Sequence, residues 1–381
     1  MQRSKIYVAG GTGLVGSAII KKLQERGYTN IVSTYHERKP TLEGVRWVQL
    51  DLLNQKVTEE FFAKEHPDYV YLAAAKVGGI VANNIYRADF IYQNLQIQNN
   101  IIHSAYKHHV KKLLFLGSTC IYPKNCPQPI KEEYLLTGEL EYTNEPYAIA
   151  KIAGIKMCES FNLQYGTNFI SVMPTNLYGP NDNFDLKTSH VLPALLRKIY
   201  LGKCLDEDNL EAVRKDLDKN PIEGIDGKAN KETILQILEK YGITKERIEI
   251  WGSGKPKREF LYSDDMADAC VYLMEKIDFK DILQEQIGIN TTCDVTAYTT
   301  KEVRNTHINI GTGEDISIKE LAYLIKDIVG YNGNFYFNTS KPDGTMRKVT
   351  DVSKLHTLGW RHKIELEEGI RKIFAWYTNR K

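Results

Sequence analysis

Short apolar runs alternate with longer amphipathic stretches through the first 180 residues of the chain. The runs that predict strands lie at residues 6–9, 30–34, 46–50, 69–75 and 169–173, and one more begins at residue 112. Helical periodicity is found at residues 14–26 and 86–109, and a long helix is predicted from residue 145 onward. Strands that alternate with helices in this way predict a parallel sheet.

The pattern changes after residue 180. Helices are predicted at residues 190–201, 264–276 and 317–329, together with a short strand at residues 307–310. We assign these elements to a smaller lobe, so the predicted domains are residues 1–180 and 181–381, with some later segments returning to the first domain. The predicted fold class is α/β: a Rossmann-type doubly wound parallel sheet with a smaller mixed α/β lobe and an inserted helical segment.

The inserted segment covers about residues 205–243 and is rich in charge. Ile234, Ile237 and Leu238 stand at helical spacing within it, which predicts a helical hairpin. A second, smaller insertion at roughly residues 286–304 contains a threonine-rich stretch and predicts a surface loop. Neither contains a recognisable motif, so both are interpreted as solvated decorations rather than as a second activity.

A glycine-rich turn follows the first predicted strand and precedes an amphipathic helix. Its ligand-facing residues are predicted to be Gly10, Thr12, Gly13, Leu14, Val15 and Gly16. The first glycine permits a tight turn, the second lets backbone N–H groups approach a pyrophosphate at the helix N terminus, and the third allows helix and strand to pack closely. The turn therefore predicts a dinucleotide site, and the alternative is a glycine-rich turn without a ligand.

The second strand ends without the carboxylate that would bind the adenosine ribose of NAD. His36, Arg38 and Lys39 follow it, and positive groups at this place suit a 2′-phosphate. The sequence therefore favours NADP(H) over NAD, although such a charged loop is often only solvated. Asp51, after the third strand, is interpreted as a partner of the adenine.

Tyr147 and Lys151 stand four residues apart and therefore share one face of the helix predicted from residue 145. A nearby ammonium group lowers the pKa of a phenol and makes it usable as a general acid or base. Ser118 ends the apolar run that begins at residue 112, where the carboxyl end of a buried parallel strand would open into a site. The spacing alone is common on solvated helix faces, but together with Ser118 and the glycine turn it predicts an active site.

Composition and charge narrow the remaining possibilities. The 50 basic and 48 acidic residues leave a formal net charge of +2, which implies no nucleic-acid partner. Six cysteines show neither a C-x-x-C pair nor histidines at zinc spacing, which argues against a disulfide scaffold and against a metal site. The N terminus enters a strand without an apolar signal segment, and no apolar run is long enough for a membrane span. We therefore expect a cytoplasmic enzyme.

The glycine turn, Ser118 and the Tyr147–Lys151 pair together resemble the extended short-chain dehydrogenase/reductases. Further blocks are similar to the GDP-L-fucose synthases, namely AAAKVGGI at 73–80, NEPY at 144–147, PTNLYGP at 174–180, WGSG at 251–254 and KPDGT at 341–345. The resemblance implies a 3,5-epimerase/4-reductase that acts on a GDP-4-keto-6-deoxy sugar with NADP(H), and a homodimer. In that family the segment at 205–243 is replaced by a short connection.

The resemblance also implies roles for individual residues. Tyr147 would exchange the proton with the sugar oxygen, Lys151 would hold the nicotinamide ribose, and Ser118 would bind the reacting carbonyl. Cys120 and His190 would be the base and the acid of epimerisation, although a buried thiol and a helix N-terminal histidine are also ordinary structural features. The other implied cofactor contacts are Ala73, Leu116, Pro174, Asn176, Leu177 and His190. The implied substrate contacts are Lys198, Trp251, Arg258 and Asp343, with Lys198 in place of an arginine of the family.

Three alternatives stay open at this point. An altered pocket would give a 4-reductase without epimerisation, which acts on a related GDP-4-keto-6-deoxy-hexose or -heptose. A sugar-nucleotide dehydratase would need a carboxylate beside the serine, where this chain has Thr119 and Cys120. A protein that kept the fold without catalysis would be expected to have lost Tyr147 or Lys151.

Overall fold

The computed structural model describes residues 4–37, 40, 42–287 and 302–380. Its strands are β1 Ile6–Ala9, β2 Ile31–Tyr35, β3 Arg46–Gln49, β4 Tyr69–Leu72, β5 Lys112–Leu116, β6 Phe169–Pro174, β7 Asn176–Tyr178, β8 Arg247–Trp251, β9 Lys257–Arg258, β10 Phe260–Tyr262, β11 Ile308–Ile310, β12 Ile316–Ser317, β13 Asn334–Asn338 and β14 Arg347–Lys348. Its α-helices are α1 Leu14–Glu25, α2 Gln55–Glu65, α3 Ile80–Ile85, α4 Arg87–Lys107, α5 Glu145–Tyr165, α6 Val191–Asp206, α7 Leu210–Lys219, α8 Lys231–Lys240, α9 Ser263–Lys276, α10 Phe279–Ile287, α11 Ile318–Val329, α12 Ser353–Thr357 and α13 Leu366–Asn379.

Seven parallel strands form the central sheet in the order β3, β2, β1, β4, β5, β6 and β11. The residues of β1, β5 and β6 are all buried, as expected for strands of a parallel sheet covered on both faces. This arrangement confirms the predicted doubly wound fold, and the six strands predicted before residue 180 all belong to the sheet.

Helices cover both faces of the sheet with separate apolar layers. On one face, Ile19 of α1 and Met266 of α9 join one buried cluster with strand residues such as Val8. On the other face, Phe62 of α2 and Ile101 of α4 belong to a second cluster, to which α5 also contributes. The sheet is thereby held rigid, and its carboxyl edge carries the loops that form the site.

The smaller lobe has its own apolar core, formed by α6, α7, α8, α11, α13 and the parallel pair β8–β13. Leu196 of α6, Ile250 of β8 and Ile325 of α11 are buried in this core. The predicted helical character of the insertion is confirmed, because the segment 205–243 contains α7 and α8. The second predicted insertion falls mainly on residues 288–301, which lie outside the described residues.

Two elements differ from their sequence-based assignment. Both α9 and β11 were expected in the smaller lobe, but β11 pairs with β6 as the seventh strand and α9 packs beside α1. Lys112 of β5 also donates to the main-chain oxygens of Leu273 and Met274 at 2.9 Å, which fixes the end of α9 on the sheet. An apolar helix can be buried by either lobe, so its sequence alone did not distinguish them. The exact domain limits stay a prediction.

Among the described helices, none combines the length and the apolar character that a membrane span would need.

Candidate active site

The glycine turn between β1 and α1 forms a narrow cradle. A Cβ atom at Gly10, where φ is +84°, would lie 2.7 Å from the main-chain nitrogen of Ala74, and one at Gly16 would lie 2.1 Å from the carbonyl oxygen of Gly10. Gly13 differs from both, because the nearest atom to its Cβ position is 3.6 Å away. Two of the glycines are therefore required by packing, while the third leaves space above the turn.

The N terminus of α1 is suited to an anion. Its first turn contains no acidic residue, and the N-cap Gly13 offers no side chain to bond the free N–H groups. Thr12 and Gly13 are both exposed at this point. Free N–H groups at the positive end of a helix dipole match the pyrophosphate of a dinucleotide, so the residues fit the predicted cofactor.

The adenosine end of the predicted site is more open. Tyr35 ends β2 without a carboxylate, and the next two side chains, His36 and Glu37, both extend into solvent. Arg38, which was predicted to bind the 2′-phosphate, lies outside the described residues. Asp51 is exposed after β3, and its Oδ1 accepts a hydrogen bond from the main-chain nitrogen of Leu53 at 3.0 Å.

Ser118 and Cys120 lie in a short 3₁₀ turn directly after β5. The Ser118 hydroxyl oxygen caps this turn by accepting a hydrogen bond from the Cys120 main-chain nitrogen at 3.3 Å. Both side chains are partly exposed at the carboxyl edge of the sheet, where the sequence predicted them. Tyr122 anchors the turn from below, because its hydroxyl donates to Oδ1 of the buried Asn309 at 2.6 Å.

Tyr147 and Lys151 lie on the face of α5 that turns toward this serine and cysteine. Lys151 is buried, its Nζ donates to the main-chain oxygen of Leu116 at 2.8 Å, and the same Nζ lies 5.7 Å from the centre of the Tyr147 ring. Burial lowers the pKa of Lys151 to about 8, against an opposing effect of Cys120.

The expected lowering of the Tyr147 pKa by Lys151 does not occur in this structure. Burial raises the pKa of Tyr147, and the neighbouring Cys120 thiol raises it further. The physical reason is that desolvation of the phenolate is the largest effect on this group. Tyr147 is therefore a protonated phenol at neutral pH.

Cys120 and His190 are both influenced by the same ammonium group, that of Lys348. Burial raises the pKa of the Cys120 thiol, while Lys348, the hydrogen bond with Ser118 and Lys151 act in the opposite direction. His190 keeps a solvent-exposed surface, but desolvation by the surrounding protein lowers its pKa and Lys348 lowers it further. At neutral pH the imidazole is therefore uncharged and able to accept a proton.

Lys348 is a site residue that the sequence analysis missed. It pairs with Arg258 across the parallel strands β14 and β9, and its charge acts on Cys120 and on Arg258. Arg258 donates to the main-chain oxygen of Thr345 at 2.5 Å, which holds it beside this strand pair. Lys348 lies only three residues after the KPDGT block, so its position in the sequence was a clue to its role. A two-residue strand such as β14, however, has no periodicity from which the direction of its side chains could be predicted.

The remaining substrate residues predicted from the resemblance lie at the end of β8 and on α6. Trp251 is 58% exposed, with the Nζ of Lys341 5.3 Å from its ring centre. Asp343 accepts hydrogen bonds from the Ser253 main-chain nitrogen at 2.8 Å and from the Ser253 hydroxyl at 2.7 Å, so it orders the turn after Trp251. Lys198 Nζ donates to the main-chain oxygen of Glu249 at 3.0 Å, and burial lowers the pKa of Lys198 to about 8.

The predicted cofactor contacts after the other strands also lie at the carboxyl edge. Ala73 directly follows β4 and is hydrogen-bonded through its main-chain nitrogen to Ala9 at 3.0 Å. Leu116 and Pro174 are the last residues of β5 and β6, and Leu177 lies in β7. Asn176, which begins β7, donates from Nδ2 to the main-chain oxygen of Glu259 at 2.8 Å. Within the described residues, no three His, Cys, Asp or Glu side chains are grouped as ligands of a metal ion.

Comparison with known proteins places this geometry in context. The model of the NAD dependent epimerase/dehydratase family matches residues 6–217 and 222–285. Putative GDP-L-fucose synthase 2 of Arabidopsis thaliana is 49% identical over 374 residues, which cover 98% of this chain and 92% of that protein. GDP-L-fucose synthase of Escherichia coli (strain K12) is 45% identical over 377 residues, with 99% and 97% covered.

Two solved structures from Campylobacter jejuni are also similar. The GDP-6-OMe-4-keto-L-xylo-heptose reductase has a TM-score of 0.86 and 48% identity, and the match covers 100% of this chain and 99% of that one. The GDP-D-glycero-L-gluco-heptose synthase, solved in the presence of NADPH, has a TM-score of 0.85 and 46% identity, with the same coverage.

Proposed function

The chain belongs to the NAD dependent epimerase/dehydratase family, and on this premise we propose that it epimerises C3 and C5 of a GDP-4-keto-6-deoxy sugar and reduces the 4-keto group with NADPH. It is an enzyme, an NADP-dependent oxidoreductase with a proposed isomerase activity. The observation that carries the proposal is the convergence of Ser118, Cys120, Tyr147 and Lys151 at the carboxyl end of β5.

NADPH supplies the hydride when it is bound, and its presence with a solved relative supports this cofactor. The protein's part in the reduction is to stabilise and protonate the oxygen at C4. The Ser118 hydroxyl would donate a hydrogen bond to that oxygen, and Tyr147 would deliver its proton as the alkoxide forms. The raised pKa of Tyr147 suits this role, because the phenol keeps its proton until the strongly basic oxygen appears.

Epimerisation would use Cys120 and His190 on the two carbons that flank the ketone. A ketone acidifies its α C–H bonds, so that a base on one face and an acid on the other can invert the carbon. The neutral His190 can accept a proton, while burial raises the pKa of Cys120 and keeps it a thiol that can donate one, although Lys348 acts against this. The pair therefore offers one proton acceptor and one proton donor, with the roles of base and acid exchanged relative to those that the resemblance implies.

The nucleotide end would lie against Arg258 and Lys348. Both are cationic side chains from adjacent strands, and a guanidinium group can bind a diphosphate through two parallel hydrogen bonds. Trp251, Asp343 and Lys198 would complete the substrate contacts.

The test is to incubate the protein with NADPH and a panel of GDP-4-keto-6-deoxy sugars and to identify the products by NMR. A parallel reaction in D₂O without NADPH follows deuterium at C3 and C5 for wild type and Cys120→Ser. We expect deuterium in the wild-type sugar and its loss in the variant. Failure to reduce any sugar of the panel would contradict the proposal, and an equal kcat/KM with NADH would contradict the cofactor.

A second candidate is a 4-reductase of a related GDP-4-keto-6-deoxy-hexose or -heptose that does not epimerise. It is favoured by the two heptose-modifying relatives, because each match covers 100% of this chain and 99% of the relative. The same experiment separates the two, because this reductase would incorporate no deuterium into the sugar that it reduces fastest.

A homodimer in the cytoplasm is the proposed assembly and compartment. The helices α4 and α5 pack side by side, and each exposes a large apolar residue, Tyr92 at 64% and Ile149 at 43%. The five cysteines of the described residues are free thiols, which suits a reducing compartment. Light scattering after gel filtration measures the assembly, and a wild-type protein that is monomeric at micromolar concentration would contradict the dimer.

A further inference from the structure

Arg197 is completely buried, although it carries a charge and lies next to the proposed substrate residue Lys198 on α6. Its partner is Asp216 of α7, which belongs to the inserted segment. The Nε atom of Arg197 donates to Oδ2 of Asp216 at 2.9 Å, and Nη2 lies 2.8 Å from the same oxygen. A buried ion pair is held in place by its geometry, since neither charge has solvent to turn toward.

The same guanidinium joins the insertion to the loop that leads to His190. Arg197 Nη1 donates to the main-chain oxygen of Phe184 at 3.1 Å, and Nη2 donates to that of Asn220 at the end of α7. His190 follows six residues after Phe184 and is the N-cap of α6. One side chain thus fixes the insertion, the loop and the helix relative to one another.

The other end of the insertion holds the acceptor of Lys198. The main-chain nitrogen of Glu249 donates to the oxygen of Gly242 at 2.7 Å, just after α8. The main-chain oxygen of the same Glu249 accepts the hydrogen bond from Lys198 at 3.0 Å, and Trp251 follows two residues later. The insertion therefore contacts both sides of the proposed sugar-nucleotide site.

Asp216 is itself held from a third direction. Its Oδ1 accepts a hydrogen bond from the Tyr377 hydroxyl of α13, and Nη2 of Arg380 lies 3.5 Å from the same oxygen. Its carboxylate is therefore fixed on both oxygens, as is required of a group that positions others.

We propose that the inserted segment sets the geometry of the sugar-nucleotide site and that Asp216 is a positioning residue, which acts through Arg197 on His190 and Lys198. This inference rests on the proposed function and adds a determinant of substrate binding to it. Asp216 does not contact the reacting atoms. Its effect is to hold α6 and the preceding loop where His190 and Lys198 meet the substrate.

The test compares Asp216→Asn with Asp218→Asn. Asp218 lies on the same helix, but its carboxylate accepts from the Gly227 main-chain nitrogen at 3.0 Å, a contact within the insertion. For Asp216→Asn we expect the KM of the GDP-sugar to rise on the order of tenfold or more, since small misplacements of binding groups are costly. Deuterium incorporation at C3 and C5 is expected to fall by a similar factor, while the KM of NADPH is expected to rise less than that of the GDP-sugar, because His190 is only one of several implied cofactor contacts. Asp218→Asn is expected to behave as wild type.

Equal KM and equal deuterium incorporation in Asp216→Asn and wild type would overturn the proposal. If Asp216→Asn does not fold, the double variant Arg197→Met, Asp216→Leu replaces the buried pair by apolar residues of similar size. A folded double variant with a raised KM would support the positioning role, and one with wild-type KM would overturn it. Loss of folding in both would also overturn it, because the segment would then act on stability.

Calorimetric titration with GDP separates this inference from the proposed function. Weaker GDP binding by Asp216→Asn than by Asp218→Asn is expected whether or not a sugar is reduced. A wild-type enzyme that binds GDP but reduces no sugar of the panel would refute only the proposed function.

Discussion

Lys348 stands directly opposite Arg258 in the parallel pairing of β14 with β9, so two cationic side chains extend from one face of this small sheet. The neighbouring pair, Lys257 and Arg347, faces the other way, and both of these side chains form ion pairs with Asp315. Successive side chains of a strand point to opposite faces of the sheet. Lys257 and Arg347 therefore form structural ion pairs on one face, while Arg258 and Lys348 lie on the face of the candidate active site.

Replacement of Lys348 by Gln tests the function of the inner pair. Loss of this charge is expected to raise the pKa values of Cys120 and His190, since Lys348 lowers both. We expect deuterium incorporation at C3 and C5 to fall about tenfold or more at pH 7, which is part of the roughly 10²–10⁴-fold that general acid–base groups contribute, and the KM of the GDP-sugar to rise. Arg347→Gln is the matched control, and an equal effect of the two variants would contradict the assignment.

Tyr147→Phe tests the proton donor. Without the phenol, the oxygen at C4 loses its proposed proton donor, so kcat is expected to fall by about 10²-fold or more. The affinity for NADPH, measured by fluorescence titration, is expected to change little. Tyr142→Phe is the control, because Tyr142 is 68% exposed just before the same helix. Near-normal turnover of Tyr147→Phe would show that another group is the acid.

Lys151→Met tests the energetic effect of burying an ammonium group. The pKa of Lys151 is about 8 in the folded protein, below its ordinary value of 10.5. Below pH 8, Lys151 is protonated in both the folded and the unfolded states, and the free energy of folding includes the full cost of burying its charge. Between pH 8 and pH 10.5, Lys151 binds more protons in the unfolded state than in the folded state, so the stability of the wild type rises with pH.

We therefore expect cofactor-free Lys151→Met to be more stable than wild type at pH 7 by up to about 3 kcal/mol. This value follows from the lowered pKa of Lys151, because each unit of difference in pKa between the folded and unfolded states corresponds to about 1.4 kcal/mol. The difference is expected to shrink toward pH 10. Urea denaturation at pH 7 and at pH 10 measures the difference in stability, and a variant that is less stable than wild type at pH 7 would contradict the prediction. The variant is expected to lose activity at both pH values.

Gly13→Ala and Gly16→Ala test the cradle. A methyl group at Gly16 would meet the carbonyl oxygen of Gly10 at 2.1 Å, so this variant is expected to lose about 1–3 kcal/mol of stability, as overpacked sites do. A methyl group at Gly13 meets nothing closer than 3.6 Å, so stability is expected to be kept while NADPH binding weakens. Thermal unfolding and NADPH titration of both variants measure this contrast, and unimpaired NADPH binding by Gly13→Ala would argue against a pyrophosphate at this turn.

Local sequence patterns predicted those elements that pack against segments adjacent to them in the sequence. The unit from β1 to α1 and the turn with Ser118 were predictable because strand, turn and helix follow one another. The direction of the Tyr147 pKa was not, because it depends on how deeply the phenol is buried by other elements. The pair Arg197–Asp216 was hidden for a similar reason, since charged residues in a polar segment look solvated until the fold buries them.

The position of β11 in the central sheet, and of α9 against that sheet, has a consequence for the order in which the protein folds during synthesis. The ribosome releases the first six strands early, but the seventh strand and the helix beside α1 come from residues 263–310. A nascent chain that ends near residue 180 would present β6 as an open edge and the apolar side of α1 without its cover. The nucleotide-binding sheet is thus completed only after most of the chain has been synthesised, and chaperones that shield apolar surface would act during that interval.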